Sequence, residues 1–121
     1  MKAFDQFDGD IRARLLAVKD LIHATAKETP GVGAVVEDVK WGQPSFATTP
    51  RTGTPIRLGV NKAGAPALFV HCQTTVVADY VAGPGTGALI EGNRAVILPA
   101  DLSQLVPLIR AALTYHIRSH T

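Results

Sequence analysis

Four side chains suited to holding an anion are spaced along the chain: Lys40, Arg57, His71 and Arg94. Arginine presents a fork of N–H donors, lysine a compact charge and histidine a ring N–H. Several of them facing one groove would bind a carboxylate or a phosphate through charge-assisted hydrogen bonds. Strand alternation decides whether they meet. Residues 55–61 alternate, with Ile56, Leu58 and Val60 on one side and Arg57, Gly59 and Asn61 on the other. Lys62-Ala63-Gly64-Ala65 reads as a turn, and residues 66–72 return as the partner strand. There Leu68, Val70 and Cys72 share one face and Phe69 and His71 the opposite one. If Val39 faces the core, Lys40 joins Arg57 and His71. Arg94 follows the Gly92-Asn93 turn, where it either pairs with Glu91 or solvent, or adds a donor to the same groove.

The stretch Lys40-Trp41-Gly42-Gln43-Pro44-Ser45-Phe46 contains the only tryptophan. It has two readings, a ligand site and a bend in the scaffold. The bend follows from alternation: if Val39 is buried so is Trp41, Gly42 permits a tight bend, and Pro44 fixes the outgoing strand. A buried indole N–H would then need a carbonyl partner. On this reading Trp41, Gly42 and Pro44 form a structural motif.

Other chemistry is harder to assemble. His71 and Cys72 are adjacent, so a strand sends them to opposite faces and they make no Cys–His pair. Cys72 is expected to be a small buried side chain. His116 and His120 are four residues apart, and a helix would put them on one face as a weak metal-chelating pair, although polar groups also suit a helix C-terminus. His23 is expected to be exposed beside an apolar stripe. The Gly83-Pro84-Gly85-Thr86-Gly87 run lacks the Gly-Lys-Ser/Thr ending of a phosphate loop and reads as a plain loop. No nucleophile and base can be named, so a non-enzymatic binding or accessory module without cofactor is expected.

The supporting elements are legible. Ile11, Leu15, Val18, Ile22 and Thr25 give helical spacing over residues 9–28, with Asp8 or Asp10 as cap and Thr29-Pro30-Gly31 as stop. Strands are expected at 35–41 and 45–48, and a short helix at 74–81 capped by Thr74 or Thr75. A hairpin is expected between 88–91 and 94–98 across Gly92-Asn93. A final helix spans 101–119, with Leu102, Leu105, Val106, Ile109, Ala112, Leu113 and Ile117 as its stripe. Pro107 predicts a kink or a late start in it. The order predicts an α+β two-layer sandwich, an antiparallel sheet with the N- and C-terminal helices on one face. The uncovered face is then a groove for a small anionic ligand, a docking face for a protein partner, or a homodimer surface.

Composition narrows the class. The 121 residues are 46% hydrophobic and 18% charged, enough for one domain with a core. A net charge of +2, with the basic residues scattered, argues against nucleic acid. One cysteine, no signal-like apolar stretch at the N-terminus and no membrane-length apolar run point to a cytoplasmic protein without a membrane partner.

Four blocks together resemble the YdhG-like bacterial domain family: Trp41–Phe46, Phe69-Val70-His71-Cys72-Gln73-Thr74-Thr75, Glu91-Gly92-Asn93-Arg94-Ala95 and Ala112-Leu113-Thr114-Tyr115-His116. The resemblance runs over nearly the whole chain and implies a compact α+β domain. Most members have no assigned activity, and some are described as frataxin-like iron chaperones. That implies, as the alternative, intracellular iron handling through surface carboxylates. Here Asp8, Asp10, Asp20 and Glu28 are interleaved with Arg12, Arg14, Lys19 and Lys27.

Overall fold

A computed structural model describes residues 2–117. A 3-10 turn, Lys2–Gln6, leads into helix α1, Gly9–Glu28. Four strands follow: β1 Ala34–Lys40, β2 Gln43–Thr49, β3 Ile56–Val60 and β4 Pro66–Phe69. Helix α2, Val76–Ala82, precedes the short strands β5 Ile90–Glu91 and β6 Ala95–Ile97. A 3-10 turn, Leu102–Leu105, then enters helix α3, Val106–Leu113. The strands form one antiparallel sheet in the order β1-β2-β3-β4-β6-β5. The α+β class is as the sequence predicts.

The core follows much of the predicted stripes. Leu15, Val18 and Ile22 of α1 and Ile109, Ala112 and Leu113 of α3 are buried, joined by Leu108, which lay outside the expected stripe. They belong to one cluster with Val76, Val77 and Tyr80 of α2 and with Phe46, Ile56, Leu58, Leu68 and Val96 of the strands. The cross-strand partners of the alternate residues, Ala67, Phe69 and Ala95, form a separate small cluster. One alternation of the sheet therefore packs with all three helices, and the other packs on itself.

The helix ends obey local chemistry. Asp8 holds the N-cap position of α1 with an extended backbone but makes no side-chain cap bond. Arg12 instead ties the entering turn, its guanidinium donating to the carbonyls of Phe4, Asp5 and Phe7 at 3.0–3.1 Å. Pro107 lies in the first turn of α3, where a missing N–H is harmless, so the late start is the outcome. Asp101 accepts from the backbone and hydroxyl of Ser103 at 3.0 and 2.7 Å, which lowers its pKa.

Helix α3 ends at Leu113 rather than near residue 119. The Thr114 hydroxyl donates to the Arg110 carbonyl, and the His116 N–H donates to the Thr52 carbonyl at 2.9 Å. Chain leaving the helix is thus captured by the loop before β3. The same loop gives Thr54 N–H to the Ala112 carbonyl and the Thr52 hydroxyl to that of Leu113. The expected stripe residue Ile117 lies beyond the helix and is exposed.

The hydrophobic arithmetic gives a direct test. Phe46 is fully buried and meets the His23 ring edge-on at 6.1 Å. Phe46→Ala is expected to cost about 3–5 kcal/mol in urea unfolding, the usual range for a deleted core aromatic. Val39→Ala, at a half-exposed edge position, is expected to stay within about 0.5 kcal/mol.

Candidate functional site

The face away from the helices is read from the register. Ser45 faces Arg57, Arg57 faces Phe69, and Phe69 faces Ala95 and through it Glu91, so one row crosses five strands. Beside it, Lys40 faces Gln43, and Gly59 faces Ala67 and Ile97. Lys40 and Arg57 therefore share this face, as alternation predicts.

Small residues make room on it. A Cβ at Gly59 would run into the Gln43 side-chain amide. Glycine there lets Gln43 lie over the sheet, where its Oε1 accepts from Arg57 Nη1 at 3.1 Å. The Arg57 guanidinium carbon sits 5.8 Å from the centre of the Phe69 ring, within range of a cation–π contact. Phe69 is thereby covered, with 5% of its surface accessible.

Arg57 is the centre of the site. Burial lowers its pKa, and the positive charge of Arg94 lowers it further. A guanidinium stays charged at neutral pH regardless. Among the described residues it has no carboxylate partner within ion-pair distance. Its neighbours do: Lys40 pairs with Asp38 at 3.5 Å and Arg94 with Glu91 at 3.7 Å. Glu91 also accepts from the Asn61 amide at 2.7 Å.

Two hollows of about 210 Å³ flank Arg57. One is lined by Lys40, Trp41, Ser45, Pro55, Arg57 and His71. The other includes Trp41, Gln43, Arg57, Lys62, Phe69 and Arg94. Three of the sequence-predicted donors thus share one hollow, and the fourth borders the next. Lys62, Gln43 and Ser45 were not foreseen: a lysine in a turn and polar residues beside a proline carry no signal until the register places them.

His71 reaches the site by a different route from the one expected. Strand β4 ends at Phe69, Val70 remains buried, and residues 71–74 turn, with the Thr74 N–H and hydroxyl both donating to the His71 carbonyl. The Gln73 N–H donates to His71 Nδ1 at 3.1 Å. In the neutral ring the proton then lies on Nε2, leaving that nitrogen a donor. Cys72 lies in the turn and is exposed, which corrects the expectation of a buried thiol. The alternation that would have buried it stops three residues earlier.

Trp41 is the larger correction. It is not in the core: 88% of it is accessible. Lys40 pairs with Gln43, so Trp41 and Gly42 alone connect β1 to β2, with φ of 55° and 74°. Positive φ at both central residues is the type I′ hairpin turn, matched to the strand twist and usually filled by Asn-Gly. Strand alternation ends at Lys40 and does not govern Trp41. The overlooked signal was glycine as the second of two residues between strands. Pro44 follows at a position whose nitrogen faces away from β1, and the β2–β3 pairing stops one residue on, at Ser45.

The remaining candidates fall elsewhere. His116 is in the turn after α3, so the helical spacing to His120 does not apply, and His120 lies outside the described residues. Among the described residues no three of His, Cys, Asp and Glu are grouped to hold a metal ion. His23 is half-exposed but engaged, its Nε2 2.6 Å from Glu37 Oε2. The loop of residues 83–87 borders a hollow of about 380 Å³ with Tyr80, Leu89 and Gln104; no charged side chain lines it, and the Tyr80 hydroxyl already donates to the Gln104 carbonyl. Among the described residues no helix is long and apolar enough to cross a membrane.

Two measurements check this geometry. Trp41 is expected to emit as a water-exposed indole and to be quenched by acrylamide almost as freely as free tryptophan. A left-handed residue other than glycine costs roughly 1 kcal/mol, so Trp41→Asn is expected to leave stability unchanged or raise it by up to about that amount. A blue-shifted emission or a clearly lower melting point would mean that the ring is packed.

No family model, curated protein or solved structure matches the chain.

Proposed function

We propose that the protein is a small cytoplasmic, non-enzymatic binding module whose open sheet face takes a small anion, a carboxylate or a phosphate. The observation that carries this reading is Arg57: half-buried, beside Arg94, and without a carboxylate partner among the described residues. A cation placed like this gains most from an incoming anion, because bound charge offsets both the lost hydration and the repulsion from Arg94.

The surroundings support the same reading. Lys40 and the Nε2 of His71 offer further donors on one side, and Lys62 and Arg94 on the other. The Phe69 ring at the centre of the face is roofed by Arg57, which leaves Trp41 at the rim as the most exposed apolar side chain there. Three carboxylates are engaged by cations or amides, Glu37 with Lys19 and His23, Asp38 with Lys40, and Glu91 with Arg94 and Asn61, and among the described residues no three of His, Cys, Asp and Glu are grouped to hold a metal ion. Membership of the YdhG-like family rests on the four sequence blocks and is part of the same proposal.

A thermal-shift titration with acetate, citrate and inorganic phosphate, at constant ionic strength, tests it. A ligand that binds the folded state stabilises it by mass action, by about 2.7 kcal/mol at a hundred times its dissociation constant. At least one of these anions is expected to raise the melting temperature of the parent and to leave that of Arg57→Gln unmoved. An equal shift in Arg57→Gln would place the binding elsewhere, and no shift with any anion would contradict the reading.

A further inference from the structure

Trp41 has no role in the account so far. It contributes little packing, since 88% of it is accessible, and it occupies a left-handed position that asparagine or glycine fills at lower cost. An unfavourable backbone conformation kept at the edge of a binding surface is a reason to look for a contact made only with a ligand. The position of Trp41 gives that contact a direction. It borders both hollows, so a molecule seated over Arg57 on either side has the indole as a wall.

Size and charge then narrow the occupant. Each hollow is about 210 Å³. That is below the roughly 300–1,000 Å³ of pockets for drug-sized ligands, and above the ~150 Å³ in which a cavity can hold benzene. One six-membered ring with one acidic group matches either hollow in size. The cations of the lining call for the acidic group, and the exposed indole beside them is the side chain available to the ring.

We infer that the open face selects small monocyclic aromatic anions, such as aryl carboxylates or aryl phosphates, with Trp41 stacking on the ring while Arg57 holds the acid. This rests on the anion-binding reading above and names its ligand class. Trp41 acts as the specificity determinant, and Lys40 with His71, or Lys62 with Arg94, complete the anion's donors. The hairpin that carries Trp41 is joined to the rest by the β1–β2 ladder and by the Gln6 amide, which donates to the Gly42 carbonyl at 2.8 Å. The indole is therefore presented on a fixed turn.

The test uses matched probes on the intact protein: benzoate against acetate, phenyl phosphate against inorganic phosphate, and benzamide as the ring without charge. Binding is followed by calorimetry, with Trp41 fluorescence as a second readout in the parent. Each aryl anion is expected to bind roughly tenfold more tightly than its ring-free counterpart, the gain typical of one aromatic stacking contact, and benzamide at least as weakly as acetate. Trp41→Asn, which keeps a favourable turn, is expected to remove the aryl preference and leave acetate and phosphate unchanged. Trp41→Phe is expected to restore most of it.

Equal binding of aryl and ring-free anions by the parent, or a preference that survives Trp41→Asn, would overturn this inference while the anion site itself stands. Benzamide binding as well as benzoate would likewise overturn the inference alone, and if neither set of anions binds, the anion site and the inference built on it both fail.

Discussion

A six-stranded sheet whose helices all pack with one of its two residue alternations must cover the other face with its own side chains. The remaining architecture follows from that constraint. The uncovered row has small residues where backbone would otherwise be crowded, at Gly59, Ala67 and Ala95, and one large ring, Phe69. Burying that ring without a helix requires a long side chain laid flat across it. Arg57 takes this place, its guanidinium carbon 5.8 Å from the ring centre. The same geometry that shelters Phe69 half-buries a charge and sets it beside Arg94. A packing requirement and the proposed anion-binding surface thus share one arrangement.

The helical side supports this arrangement through its packing. Helices α1 and α3 close the core over Phe46, Ile56, Leu58 and Leu68, which fixes the strands that carry Arg57 and Phe69. The loop ahead of β3 is held to the end of α3 through Thr52 and Thr54. That anchorage sets where β3 begins and where Pro55 borders the hollow. On the far side, the turn after β4 is closed on the His71 carbonyl and on Nδ1, so the ring enters the site from a defined loop. Donors from two strands and two turns are positioned by elements that contribute nothing else to the site.

Much of the fold was legible because it depends on period. Helix α1 matched its stripe, and the alternation of Ile56, Arg57, Leu58 and Phe69 assigned both faces of the central hairpin. Pro107 signalled a kink or a late start, and the late start forms, since a proline nitrogen has nothing to donate in a first turn. The errors lie where periodicity ends. Trp41 and Cys72 were assigned by extending alternation past Lys40 and Phe69, the last residues of their strands. Helix α3 was extended past Leu113, although the capture of residues 114–116 by the Thr52 loop involves partners some sixty residues apart. Nothing local announces such a contact. The shared face of Lys40 and Arg57 was inferable from alternation alone; the arrival of His71 from the turn after β4, the hydrogen bond that fixes its ring and the approach of Gln43 over Gly59 were not.

The central claim is that an anion binds over Arg57 on the open face. The most direct measurement is a ¹H–¹⁵N chemical-shift map of the labelled protein titrated with inorganic phosphate and then with benzoate at constant ionic strength. The account predicts saturable shifts confined to the Arg57 guanidinium, the Trp41 indole and the amides around Lys40, Arg57, His71 and Arg94. Shifts centred on the loop of residues 83–87 or along α1, or none beyond those of added salt, would contradict it.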